Sequence, residues 1–322
     1  MTEQIEVRQS VNEIGIVGKI KEKKVNTGLT KKNLKYVSVK LTIEVKEGDK
    51  IHNFQVEKFA QANANSADGG KFYKMVQTYA NDYKEGDLIK VSASMDINDY
   101  YNSEGELVSF PKYAGNFFNR IELDENGKPT EEGVVPKAEG KVEVYIQSIE
   151  DEMGLDDLPT GRLLISGFTV GYGAKMIPVT DLVVAENLAE PVKKIYKVGD
   201  TAVLSLKLEN YAEVSEVEIE EEATMAFGQE ADVETTVTRK YKRESLVLGG
   251  AMPKVDGTEY QAEDVEELEK KRKLALQEAQ ERSKNKPKAS QDNSDMAFGA
   301  SSSTANTASS APLEISADDV PW

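Results

Sequence analysis

The pentapeptide Tyr83-Lys84-Glu85-Gly86-Asp87 recurs as Tyr196-Lys197-Val198-Gly199-Asp200, each time between a short helical stretch and a strand pattern. A Gly-Asp pair at such a join makes a tight turn, because glycine enters backbone conformations closed to other residues and aspartate bonds its own backbone. The flanking segments repeat as well. Before the first copy lie three runs of alternating apolar and polar residues, Ile14 to Ile20, Tyr36 to Val45 and Ile51 to Phe59, and then a helical stretch from Lys71 to Tyr83. Asp87 to Asn98 and Phe110 to Leu123 follow it. Around the second copy the order is Val142 to Ile149, Arg162 to Tyr172, Lys175 to Val184, a helical stretch from Glu186 to Tyr196, and Thr201 to Leu208. Alternation with period two marks half-buried strands, and a repeated order of elements marks duplication.

Three strands, a helix and two strands is the order of a five-stranded oligonucleotide-binding (OB) barrel. The predicted fold is mostly β, with two tandem OB-like five-stranded barrels, a charged helix and a disordered acidic C-terminal tail. The first barrel with its basic loop takes residues 1–123, and a linker rich in Gly, Pro and charge takes 124–140. The second barrel, carrying an acidic insertion around Glu213 to Glu222, takes 141–258. Residues 259–284 form the charged helix. Its few apolar positions, Val265, Leu268, Leu274, Leu276 and Ala279, make a stripe too thin for a coiled coil, so it packs weakly on a domain. From Asn285 to Trp322 Ser, Ala, Thr and Asn dominate, a composition that buries too little to fold. Met225-Ala226-Phe227-Gly228 returns as Met296-Ala297-Phe298-Gly299 without an evident physical reason.

Composition removes several chemistries. With no cysteine and His52 as the one histidine, disulfides, thiolate metal sites and multi-histidine centres are excluded. No phosphate-cradling loop, zinc signature or nucleophile elbow occurs, and acid runs such as Asp156-Asp157 read as solvated faces. The expectation is a protein that is not an enzyme and needs no metal or cofactor. No apolar run is long enough to span a bilayer and the start of the chain has no signal-peptide pattern, so no membrane partner is expected and a cytoplasmic location is.

A net charge of −17 opposes a nucleic-acid partner in bulk, since phosphates attract basic surfaces. The distribution says otherwise. Lys19, Lys21, Lys23, Lys24, Lys31, Lys32, Lys35 and Lys40 face Glu22 alone. A single-strand surface needs cations for phosphates and exposed rings for bases. The lysine-rich loop Val25 to Lys35 is predicted as a flexible basic arm that Gly28 lets fold over a strand. Tyr36 on strand two and Phe54 on strand three lie on the pair of strands that an OB barrel uses for binding, although strand aromatics are often core. Tyr100 and Tyr101, in the polar loop Asp99 to Gly105, would stand opposite the arm across a groove. Lys19, Lys21, Lys23, Lys24, Lys31, Lys32, Lys35, Tyr36, Phe54, Tyr100 and Tyr101 are the candidate nucleic-acid contacts.

The chain finishes Ala317-Asp318-Asp319-Val320-Pro321-Trp322, two carboxylates and then the sole tryptophan. Such a peptide inserts a ring into a pocket while offering charge to a basic rim. Barrel, basic loop, low-complexity stretch and this terminus together resemble the single-stranded DNA-binding proteins of bacteria and their phages, and two fused barrels look more like the phage-encoded form. In that family the tip is several Asp, an aliphatic residue, Pro and a terminal Phe. Asp318 and Asp319 match the acids, Val320 the aliphatic residue, Pro321 the proline and Trp322 the ring, with Trp for Phe and a shorter acid run as departures. The resemblance implies coating of single-stranded DNA without sequence preference during replication, recombination or repair. It also implies replication or recombination proteins docking on the tip as partners. Two other readings fit the residues, a structural or assembly protein using its β-domains for protein contacts, and a strand-annealing recombination mediator. DNA and RNA are not distinguished by stacking and phosphate contact.

Overall fold

The computed structural model describes residues 7–30, 32–66, 68–102, 104–154, 156–219 and 234–284, and of 213–219 and 234–240 the backbone alone. The first half is built from β1 (Asn12–Leu29), β2 (Lys35–Glu47), β3 (Lys50–Gln61), α1 (Lys71–Asp82), β4 (Leu88–Tyr101) and β5 (Leu107–Arg120). The remainder holds β6 (Lys137–Met153), β7 (Pro159–Gly171), β8 (Lys175–Val184), α2 (Glu186–Ile195), β9 (Thr201–Ile219), β10 (Glu234–Gly250) and α3 (Ala262–Lys284), with a 3-10 turn at Tyr172–Ala174. The chain is mostly β.

β1 pairs with β2, β2 with β3, β3 with β5 in parallel, β5 with β4, and β4 returns to β1, which closes a five-stranded barrel. Alternation makes its core. Val37, Val39, Leu41, Ile43 and Val45 of β2 are all buried, while Lys40 between them is exposed. Helix α1 covers one end through Tyr73, Val76 and Tyr79, three positions on one helical face. The Tyr83 hydroxyl, past its end, donates to the Phe118 carbonyl at 2.6 Å.

The second half repeats the pairings, β6 to β7, β7 to β8, β8 to β10 in parallel, β10 to β9, and β9 to β6. The repeated pentapeptide makes one join twice. Gly86 and Gly199 sit at φ 89 and 96, where other residues are strained. The Asp87 carboxylate accepts from the Lys84 amide at 2.8 Å and the Asp200 carboxylate from the Lys197 amide at 2.7 Å. Gly86 N–H and Gly199 N–H donate to the carbonyls of Ile20 and Ile146, both at 2.8 Å. The register slips directly after each of these isoleucines, between Ile20 and Glu22 and between Ile146 and Ser148. A bulge repeated at the same place is a built feature.

The halves share one ten-stranded sheet because β1 and β6 pair antiparallel from Asn12↔Val142 to Val17↔Lys137. β6 thus begins inside the stretch expected as linker, 124–140, and residues 121–136 make the connection. Lys19 faces Leu88 and Tyr145 faces Thr201, each partner standing just past its Gly-Asp turn, so Lys19 and Tyr145 correspond. Counting back along both strands brings Ile14 opposite its own counterpart, Gly140. A pseudo-twofold axis therefore passes through that pair. The Ile14 side chain fills the space that a side chain on Gly140 would need, and the Glu13 carbonyl would lie 2.9 Å from a Cβ there. One core cluster runs through the join, from Ile14, Ile16 and Ile20 to Val142, Val144 and Ile146.

Each half also lays its last two strands against the other. Lys207 of β9 bridges to Glu47 at 2.7 Å, and the Asn210 amide donates to Nδ1 of His52 at 3.1 Å. Reciprocally, Lys175 of β8 bridges to Asp96 of β4 at 2.7 Å. Burial works against the Asp96 carboxylate, but Lys175 and Lys112 hold its pKa below the ordinary value. Helix α3 lies over β8 and β4. Its Leu268 joins Phe168, Val170, Met176, Tyr260 and Val7 in a separate small cluster, and Arg272 grips Asp99 at 3.1 Å.

The contacts between the halves make two measurable demands on stability. Gly140→Val, which must push Ile14 or the Glu13 backbone aside, should cost roughly 1–3 kcal/mol of unfolding free energy in urea; a change within experimental error would contradict the packing. His52 is 1% exposed, and burial depresses its pKa, opposed by Glu47 and Glu209 and aided by Lys207 and Lys50. Below pH about 6.5 the unfolded chain takes up the imidazole proton before the folded chain does, so stability falls as pH falls through that value. Unfolding midpoints at pH 7.5 and 5.5 should separate more for the wild type than for His52→Gln.

Candidate nucleic-acid interface

In the structure the basic arm is a hairpin of paired strands rather than a loop. β1 continues to Leu29 and pairs with β2 as far as Leu29↔Lys35. The turn closes through Thr30 N–H to the Leu34 carbonyl at 2.8 Å, with Asn33 at φ 59. The reason is alternation. Lys23, Val25 and Thr27 of β1 stand opposite Leu41, Val39 and Val37, so the lysine-rich segment completes a strand pattern. Gly28 serves a different purpose from the one expected. It faces Tyr36, and a Cβ on it would lie 2.8 Å from the Tyr36 ring, so its bareness lets that ring lie flat across β1.

The outward residues of β1, β2 and β3 form the candidate surface. Lys24 stands directly opposite Lys40, and both are exposed. One step along, Ser38 of β2 donates its hydroxyl to Glu57 of β3 at 2.8 Å. At the next outward position the half-buried rings of Tyr36 and Phe59 stack, with centroids 5.7 Å apart and planes 27° from parallel. In the other direction Lys21 donates to the Asn53 side chain at 2.9 Å, and Lys19 is exposed beyond it. Lys24 also meets Glu22 at 3.0 Å, where the lysine holds the exposed Glu22 carboxyl below its ordinary pKa. Two ammonium groups directly opposite across strands repel, and water-exposed ion pairs contribute little to offset that. The opposed cations and the ring pair thus lie side by side on one outward face.

The sequence-derived candidates divide accordingly. Lys24 and Tyr36 come together on this face, with Lys21 and Lys19 further along β1 and Lys32 and Lys35 exposed at the far end of the hairpin. Lys31 and the tip Asp318, Asp319, Val320, Pro321 and Trp322 lie outside the described residues, as do both Met-Ala-Phe-Gly segments. Lys23 turns the other way. Its ammonium donates to the carbonyls of Ala80 and Tyr83 at 2.6 and 2.7 Å, closing the C-terminal end of α1.

Phe54 is a correction. It is 1% exposed in the core, stacked on His52 and edge-on to Tyr113, so it presents no face to a base. The reason is parity. Phe54 and Val56 point inward on β3, and Phe59 carries the opposite parity. The ring that belongs to the face is Phe59, which sequence reasoning missed although the strand's alternation encodes it. Tyr100 and Tyr101 are a second correction. They end β4 as paired strand residues, facing Val108 and Leu107. Tyr100 stacks on Phe110 at 6.2 Å, and Tyr101 accepts from Ser283 of α3 through its carbonyl at 3.4 Å. The β4–β5 hairpin thus packs towards β8 and α3. Among the described residues no cluster of His, Cys, Asp and Glu fits a metal ion, and no helix is long and apolar enough to cross a membrane.

The YorF family model matches residues 10–282. No curated protein matches the sequence. Among solved structures, the wild-type single-stranded DNA binding protein from Thermus aquaticus is similar over 79% of this chain and 98% of its own, with 10% identity and a TM-score of 0.46. A deletion mutant of that Thermus aquaticus protein aligns over the same shares, with 11% identity and a TM-score of 0.46. The mitochondrial single-stranded DNA binding protein Rim1 from S. cerevisiae covers 35% of this chain and 96% of its own, with 15% identity and a TM-score of 0.24.

If Lys23 caps α1, its role is structural. Lys23→Met should lower stability by roughly 1 kcal/mol through the lost charge-assisted bonds to two helix-end carbonyls. Circular dichroism melts would register that loss, and an unchanged melt would remove Lys23 from the cap.

Proposed function

The chain belongs to the YorF family, and we propose that it binds single-stranded DNA through the outward face of β1, β2 and β3, without sequence preference and without catalysis. The observation that carries this reading is the opposed pair Lys24 and Lys40 beside the stacked pair Tyr36 and Phe59. Phosphates between the two ammonium groups relieve their repulsion and release counterions, and bases stack on the exposed parts of the rings. Every base has a π-face and every nucleotide a phosphate, so such a surface discriminates little between sequences.

On the same reading the second half is a second OB-like barrel, residues 141–258, and α3 leads into a tail whose tip recruits proteins. Asp318 and Asp319 would meet a basic rim and Trp322 a pocket on a replication, recombination or repair protein. That assignment rests on the residues and their resemblance to the tip of bacterial and phage single-strand binders. A phage origin and action in the host cytoplasm belong to the same proposal.

Titration of the chain with oligo(dT) tests the face. Tyr36→Ala and Phe59→Ala should each weaken binding by roughly 1–3 kcal/mol. Lys24→Ala should reduce the slope of log affinity against log salt by about 0.7, the share of one phosphate contact on a single strand. Affinity unmoved by all three substitutions would favour the rival reading, a β-domain assembly protein, and duplex product from complementary strands would favour an annealing mediator.

A further inference from the structure

We infer that nucleic acid engages the first half alone, and that the corresponding face of the second half is closed to it by charge and by α3. This rests on the proposed strand-binding function and assigns that function to one side of a pseudo-symmetric molecule.

The pairings make the comparison residue by residue. The hairpins β1–β2 and β6–β7 slip register at the same place, so Glu22↔Thr42 corresponds to Ser148↔Ser166 and Lys24↔Lys40 to Glu150↔Leu164. The opposed lysines of the first face are thus a carboxylate and a leucine on the second. Around that position the second hairpin carries Glu150, Asp151, Glu152, Asp156 and Asp157, with no Lys or Arg between Gln147 and Gly161. Asp151 is bridged by Lys193 at 2.8 Å and Glu152 by Arg162 at 3.3 Å, and Glu150, Asp156 and Asp157 remain exposed. A phosphate chain entering there meets like charge.

The rings differ as sharply. β8 contains no aromatic residue, and β7 contains only Phe168. Phe168 does point outward, stacked on Tyr145 at 5.0 Å, but it is 0% exposed. Tyr260 and Leu268 of the chain's last segment pack on it. Its pair Tyr145↔Phe168 corresponds to Lys19↔Glu44, which in the first half lies open. Helix α3 is held over this place by Arg272, which donates to Asp99 at 3.1 and 3.4 Å, and by Ser283 on Tyr101. Duplication supplied two faces. One carries cations and half-buried rings, and the other is acidic and covered by a helix.

Native mass spectrometry with an oligo(dT) of about 10 nucleotides, within the length that one OB fold occupies, counts the faces directly on the full chain. The expected result is one oligonucleotide per chain at saturation, and none for the Lys24→Glu/Lys40→Glu double variant. Both substitutions are on exposed side chains, and circular dichroism checks that the variant is folded. Two oligonucleotides per wild-type chain would overturn the inference, as would one that persists on the double variant. No binding by the wild type would instead overturn the proposed function beneath it.

Discussion

The pairing of β1 with β6 about Ile14 and Gly140 is the contact on which the molecule's form depends. It turns two sets of five strands into a single sheet, and it requires a bare residue on one side so that the isoleucine of the other has somewhere to go. The driving force is apolar. Ile14 and Ile16 with Val142 and Val144 are buried in one continuous cluster, and burial of each such side chain contributes on the order of 1.5–3 kcal/mol. The polar bridges across the halves, Lys207 to Glu47 and Lys175 to Asp96, recover less because each charge gives up water. Their effect is on geometry. They fix how each half's last hairpin lies on the other half, which decides what flanks each outward face.

Much of this is legible in the chain. The repeated Tyr-Lys-x-Gly-Asp announces the join twice, and the structure builds it with matching hydrogen bonds and positive φ at both glycines. Alternation locates most of the strands, though not β10, and the two short helices lie where their apolar faces place them. What the sequence misleads on, it misleads on by one position or one class of element. Phe54 and Phe59 sit on one strand, and only inward or outward parity separates a core ring from a surface ring. The lysines of β1 look like a loop because lysine is depleted in strands, yet every second residue there has a buried partner on β2.

Other features lie beyond local pattern. A polar setting puts Tyr100 and Tyr101 in a loop across a groove, whereas their hairpin is drawn to Arg272 and Ser283 of α3, far away in sequence. The thin apolar stripe of α3 leads to an expectation of weak packing and gives no address. The address is Phe168, which keeps the outward parity of Leu164 and Ser166, and nothing in its neighbourhood says that a helix far along the chain covers it. Long-range placement of a polar helix is decided by a few contacts, which period and propensity do not carry.

Strand geometry explains how one fold holds both a basic and an acidic face. Inward positions are fixed by packing, since the cores of both halves must meet at β1 and β6; outward positions answer only to solvent and partners. Lys24 and Glu150 are outward in corresponding places and differ by two units of charge without disturbing a buried contact. The antiparallel join sends the two hairpins away from the shared pair in opposite directions. At roughly 3.3 Å per strand residue, the span from Asn12 to Lys24 alone exceeds the screening length of about 8 Å at physiological salt. The acidic hairpin therefore does not cancel the field at Lys24 and Lys40, and a net charge of −17 is compatible with a local site for phosphate. The sum of charges describes solubility and long-range repulsion, and the pairing of strands decides where an anion settles.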